Sequence, residues 1–185
     1  MEKSKIKKIR AVDIASVSML TALIAVCSWI SIPIGNIPVT FQTFAVCTAV
    51  GILGRKKATA AVIVYLILGI AGLPVFSFFR GGISVLFSMS GGYAAGFVLL
   101  AFVSGLIIGK TERKIPFMMF GFITGLVCCY LFGSLWYMFI YMKNTGEIGF
   151  VTVLATCVLP YIIPDIIKLL LAAVVSKAVK KRVKI

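Results

Sequence analysis

The chain has 185 residues, 61% of them apolar and only 13% charged, with a mean hydropathy of +1.13. Soluble domains run near 45–50% apolar and about 25% charged, so this composition excludes a soluble globular protein and a disordered one. The 19 Lys+Arg against five Asp+Glu give a formal charge of +14. In a soluble protein that excess would point to nucleic acid; here it is read first against a membrane.

Sixteen of the 19 basic residues fall in four blocks: Lys3, Lys5, Lys7, Lys8 and Arg10; Arg55, Lys56 and Lys57; Lys110, Arg113 and Lys114; Lys177, Lys180, Lys181, Arg182 and Lys184. Between them lie long apolar stretches, each broken once by turn residues. A spanning helix takes about 20 apolar residues, so each stretch holds two helices. All four blocks then share one side, the cytoplasm by the positive-inside rule. The sequence thus predicts an all-α integral membrane protein, a single membrane domain over 1–185, with six transmembrane helices and cytoplasmic N- and C-termini. The +14 becomes an orientation signal, and nucleic acid drops out as a partner.

The first predicted helix covers 11–32. It starts like a signal peptide, but no small-x-small cleavage site follows, so it is read as uncleaved. Ala15, Ser18, Ala22 and Ala25 form a small-residue stripe that permits close helix approach, within the bundle or to another membrane subunit. The outer connection Pro33–Pro38 carries Asn36. The second helix, 39–53, opens with Thr40 and Gln42. An unpaired buried amide costs a few kcal/mol, so Gln42 either bonds another helix or faces a ligand cavity.

The third helix is predicted over 58–72. Segment 73–90 is aromatic rather than hydrophilic and is expected to fold back on the bundle as a re-entrant piece or lid. Arg80 is its only charge, either an interfacial snorkel or an anion clamp at a cavity mouth. Ser90-Gly91-Gly92-Tyr93 opens the fourth helix, 91–109, where glycines let a ligand or another backbone come close. Gly105 to Thr111 imitates a P-loop but has one residue too few between its glycines and ends a membrane helix, so no nucleotide site is read there. The fifth helix covers 116–142, with Trp136, Tyr137 and Tyr141 expected at the outer interface. A short outer surface helix follows over 146–159. Pro160 and Pro164 mark the start of the sixth helix, 161–179.

The chain contains no His, which removes Ser-His and Cys-His nucleophiles and the commonest general base. Its five cysteines are odd in number and show no C-x-x-C spacing, so no metal site or disulfide framework is expected. Asp165 and Lys168 stand out. They are three residues apart, on one helix face, inside an apolar run where a charge costs about 2.5–3.5 kcal/mol on insertion scales. They are read as a structural ion pair or as the polar floor of an outward-facing cavity, with Arg80 on the same side. Two cations against one anion suit a small, mostly apolar ligand with one negative charge. An intramembrane enzyme would need an acid–base or metal cluster that one carboxylate, Asp165, does not supply.

These features occur together in a known order. Ile32-Pro33-Ile34-Gly35, then Ile37-Pro38-Val39-Thr40-Phe41-Gln42-Thr43-Phe44, then Tyr65-Leu66-x-Leu68-Gly69-x-x-Gly72-Leu73-Pro74-Val75-Phe76, then Gly91-Gly92-Tyr93 with Gly96-Phe97, then Pro164-Asp165-x-x-Lys168 resemble the BioY family. These are the biotin-specific S components, or substrate-binding subunits, of ECF-type vitamin transporters. The resemblance implies an S-component fold in the bacterial plasma membrane and high-affinity capture of biotin from outside. It implies an ECF transmembrane coupling subunit and two cytoplasmic ATPases as partners, with the helix 1 stripe as docking face. It implies no cofactor, biotin being the transported ligand. Asp165 and Lys168 carry over as ligand-binding residues, with Gln42 and Tyr93 as cavity neighbours. Arg80, Ser90, Gly91, Thr40 and Asn36 complete the candidate set. The family's Gly-Pro-Thr-Gly-Gly-Tyr run reads Ser88-Met89-Ser90-Gly91-Gly92-Tyr93 here. That departure leaves lipoate or dethiobiotin as alternative ligands, and a solitary carrier is the alternative mode of action.

Overall fold

The structure, a computed structural model, describes residues 10–35, 37–109 and 114–182. Asn36 and the basic residues Lys3, Lys5, Lys7, Lys8, Lys110, Arg113 and Lys184 lie outside the described residues. The described residues form seven α-helices: α1 (Ala11–Trp29), α2 (Gln42–Leu53), α3 (Arg55–Ile70), α4 (Gly91–Ile108), α5 (Ile115–Asn144), α6 (Phe150–Cys157) and α7 (Leu159–Arg182). A two-residue ribbon pairs β1 (Ser31–Ile32) antiparallel with β2 (Val39–Thr40), Ser31 opposite Thr40.

The ribbon shortens two predicted helices. Pro33 drives the residue before it out of helical backbone, and Ile32, Val39 and Thr40 are β-branched. Helix α1 therefore ends at Trp29, not 32, and α2 starts at Gln42, not 39. Helix α3 starts at Arg55, earlier than the expected 58, because Gly54 makes the break with φ +76 and Arg55, Lys56 and Lys57 are good helix formers. Pro164 does not open the last helix. It sits inside α7, which begins at Leu159, only Val158 separating it from α6; the two helices meet at 47°.

At 1.5 Å per residue, a helix needs about 20 residues for a 30 Å hydrocarbon core. Helices α1, α4 and α5, with 19, 18 and 30 residues, are long and apolar enough alone, and the bent α6–α7 pair makes a fourth candidate span. Helices α2 and α3 have 12 and 16 residues and fall short of that length. Nine of the 12 residues of α2 are buried; a helix apolar all round belongs in the core.

Two ends of the bundle are distinct. At one end Lys57 Nζ lies 2.6 Å from Asp13 Oδ1, Arg55 stacks on the Phe102 ring, and Gly51 faces Ser176 and Met118. The starts of α1, α3 and α5 and the ends of α2, α4 and α7 therefore meet there, with the described basic residues of all four blocks. Six helices run from this end to the other, where the β ribbon and segment 73–90 close over them.

Segment 73–90 folds onto that far end and is pinned from two sides. Phe76 is buried edge-on against Tyr65 at 5.5 Å, over the face left open by Gly69. From α1, the Ser28 hydroxyl donates to the Val75 carbonyl, and Trp29 Nε1–H donates to the Pro74 carbonyl at 2.9 Å while its ring stacks on Phe79 at 4.9 Å. From α5, Trp136 Nε1–H donates to the Ser88 carbonyl at 3.2 Å. Phe78 and Phe79 hold φ of +60 and +56, a conformation bulky residues adopt only when neighbours impose it.

The small-residue stripe of α1 splits. Ala15, Ser18 and Ala22 are exposed, whereas Ala25 is buried in the core and is no docking residue. Ser18 and Ala25, seven residues apart, lie on nearly the same side of α1, so the split runs along the helix: the bundle covers that side at the level of Ala25 and leaves it open at Ser18. Tyr137 also departs from its expected interfacial place. It is 1% exposed and stacks on Tyr141 within a second apolar cluster that includes Tyr93, Val153, Cys157 and Tyr161.

Candidate functional site

A cleft of about 760 Å³, mouth included, opens at the end closed by the ribbon and segment 73–90. Each wall comes from a different helix, and most of its polar groups sit deep between apolar ones.

The floor is built by α7. Asp165 and Lys168 are each 6% exposed, and Lys168 Nζ lies 2.8 Å from Asp165 Oδ1. Tyr130 of α5 donates its hydroxyl to Asp165 Oδ2 at 2.5 Å. The pair carries no net charge, so it suits a ligand end that is neutral and offers both donors and acceptors. An ionised carboxylate retains spare lone pairs after two bonds, and an ammonium has three protons.

A second wall begins where β2 meets α2. Gln42, 5% exposed, donates through Nε2 to the Tyr65 hydroxyl at 2.8 Å and accepts from the Thr40 hydroxyl at 3.2 Å. Its buried amide is thus paired to another helix and also lines the cleft. On α4, Tyr93 reaches Ser134 of α5 at 3.0 Å, its ring seated in the space left by Gly133. Tyr161 caps the outer side: its hydroxyl donates to the Ile34 carbonyl at 2.7 Å, sharing that proton with the Ile37 carbonyl. This ties the 33–38 connection to α7.

Arg80 stands at the mouth, exposed, with Nε–H donating to the Ser77 carbonyl at 3.3 Å and the guanidinium 5.7 Å from the Phe78 ring centre. It lines the cleft together with an outer vestibule bounded by Pro33, Gly35, Pro38, Ser88, Met89 and Ser90. The vestibule and cleft share Pro38, Arg80 and Ser90 and form one passage.

Asp165, Lys168, Gln42, Thr40, Arg80, Tyr93 and Ser90 therefore converge on one cleft although they span 129 sequence positions. Gly91 does not line it. The face of Gly91 without a side chain is filled by the Leu86 backbone, and that of Gly92 by Trp136. These glycines admit a neighbouring chain segment, not a ligand. Sequence reading missed Tyr65, Tyr130 and Tyr161, three cleft tyrosines whose hydroxyls hold the polar groups in place. A tyrosine facing outward and one facing inward look alike within an apolar run. Cys129 and Cys157 also line the cleft; all five cysteines are free. Among the described residues no cluster of His, Cys, Asp or Glu is fit to hold a metal ion.

A helical bundle of membrane-spanning composition, with a deep amphipathic cleft at one end, is a membrane protein built around a small-molecule site. The family model described as "BioY family" matches residues 1–185, and the chain belongs to that family. It is 40% identical over 165 residues to a biotin transporter BioY of Thermotoga maritima, covering 88% of this chain and 92% of that one. It is 34% identical over 168 residues to a probable biotin transporter BioY of Pyrococcus horikoshii, covering 91% and 96%. Its fold matches a crystal structure of the S-component for biotin from an ECF-type ABC transporter, with a TM-score of 0.83, 26% identity, and coverage of 94% and 95%. These relatives are named as transporters or a transporter component, not as enzymes.

Proposed function

We propose that this chain is the substrate-binding subunit for biotin uptake across the bacterial plasma membrane, working with an ECF coupling subunit and two cytoplasmic ATPases. The observation that carries the reading is the buried Asp165–Lys168 pair at the floor of the cleft with Arg80 at its mouth. Biotin has a neutral ureido head and an anionic valerate tail. One ureido N–H donates to Asp165 and the carbonyl beside it accepts from Lys168. The carboxylate sits toward Arg80 or backbone N–H groups. The apolar middle of the ligand lies between Phe97, Leu126 and Tyr93.

The topology we propose has six membrane crossings with both termini cytoplasmic. What supports it is the run of six helices between the two ends and the gathering of the basic blocks at one of them. The cleft then faces outside. The exposed Ala15, Ser18 and Ala22 on α1 suit close contact with the coupling subunit.

The test is direct. The protein is purified from cells and the small molecule that accompanies it is identified by mass spectrometry; labelled-biotin uptake is measured with and without the ATPases. Biotin is expected, with uptake dependent on the partners. Lipoate or dethiobiotin would overturn the ligand, and undiminished uptake without ATPases would make the chain a solitary carrier.

A further inference from the structure

Two donors hold Asp165, and they come from different helices. Lys168 is one turn away on α7 and grips Oδ1; Tyr130 reaches across from α5 and grips Oδ2. A partner on the same helix moves with the carboxylate and does not fix it against the opposite wall. A partner on another helix does. Tyr130 is half-buried and lines the cleft, so its bond meets the carboxylate inside the site. One further lone pair on each carboxylate oxygen remains for an incoming donor.

We infer that Tyr130 is a positioning residue: it holds the Asp165 carboxylate with its spare lone pairs turned into the cleft, and so sets the preference for a ligand end that presents an N–H donor beside a carbonyl acceptor. The inference rests on the proposal that biotin binds here. Preorganising one partner removes the ordering cost that binding would otherwise carry, and hydrogen bonds to ionised groups are about twice as strong as neutral ones.

The experiment is a mutant cycle on the full-length protein purified in detergent, with biotin as titrant in calorimetry. Tyr130→Phe keeps the ring and removes the hydroxyl. It is expected to weaken biotin binding about ten- to a hundred-fold. In an Asp165→Ala background the same change is expected to alter affinity less than about two-fold, because no carboxylate is left to orient. Thermal unfolding without ligand checks that each variant folds. Should Asp165→Ala not fold, Asp165→Asn replaces it; its neutral amide oxygen keeps a weaker bond to Tyr130, and the loss is expected to shrink to about three- to ten-fold. Equal losses in both backgrounds would show a merely structural role and overturn the inference. Unchanged affinity in Tyr130→Phe beside tight binding by the wild type would overturn it alone. Absence of biotin binding by the wild type would overturn the underlying functional proposal.

Discussion

Whether the Asp165–Lys168 pair serves the fold or the ligand is decided by removing it in two ways. Lys168→Met keeps the side chain's approximate length and removes its charge. Asp165, 6% exposed, is then left buried with Tyr130 as donor. Deleting one partner of a buried pair destabilises by about 3–5 kcal/mol, whereas replacing both with apolar residues is often neutral or stabilising by about 1–4 kcal/mol. The double variant Asp165→Leu/Lys168→Met also orphans the Tyr130 hydroxyl, which costs about 1–3 kcal/mol. Its stability is therefore expected within a few kcal/mol of wild type and above that of Lys168→Met. Ligand binding should behave oppositely. Two charge-assisted bonds of about 1.5–3 kcal/mol each are lost, a drop of roughly 10²- to 10⁴-fold. Thermal unfolding in detergent and biotin calorimetry on the same preparations separate the two effects. A folded double variant that binds biotin within about threefold of wild type would refute the ligand role.

Three further expectations test the walls and the mouth. Gly133→Ala drives a methyl into the Tyr93 ring; overpacking of this kind costs about 1–3 kcal/mol, read as a lower Tm together with weaker biotin binding as Tyr93 is pushed into the cleft. Tyr161→Phe releases the Ile34 and Ile37 carbonyls; a loss of about 1–3 kcal/mol is expected, with faster hydrogen exchange in the 33–38 connection and faster biotin dissociation. Arg80→Ala removes an exposed charge at the mouth; slower biotin association that no longer depends on salt is expected, with unfolding temperature unchanged. An association rate equal to wild type at low salt would remove Arg80 from the capture step.

The fold was legible wherever composition acts over long distances. Charge blocks spaced along the chain located the helix ends, because a cluster of Lys and Arg is too costly to place in hydrocarbon. Boundaries were less legible: Ile32, Val39 and Thr40 continue an apolar run, and only their pairing across the connection makes them a ribbon. Asp165, Lys168, Gln42 and Arg80 were visible because polar groups in an apolar chain are conspicuous. Tyr130 was not. Its meaning lies in a hydroxyl that meets a carboxylate 35 positions away, and no periodicity within α5 encodes that meeting. Gly91 was misplaced for the converse reason. A glycine announces that something comes close, and here that something is the backbone of Leu86.

The chain contains two tryptophans, and both indoles are bonded to the same outer segment. Trp29 reaches Pro74 at one end of it and Trp136 reaches Ser88 at the other. With excitation at the red edge of the absorption band, where tyrosine does not absorb, the intrinsic emission of the protein therefore originates at the two attachment points of the piece that covers the cleft. Any lifting of that piece breaks an indole hydrogen bond and wets the ring, which shifts emission to the red. The unlabelled wild-type molecule is in this sense its own optical gauge of opening, and Trp29→Phe and Trp136→Phe assign the signal to one hinge or the other.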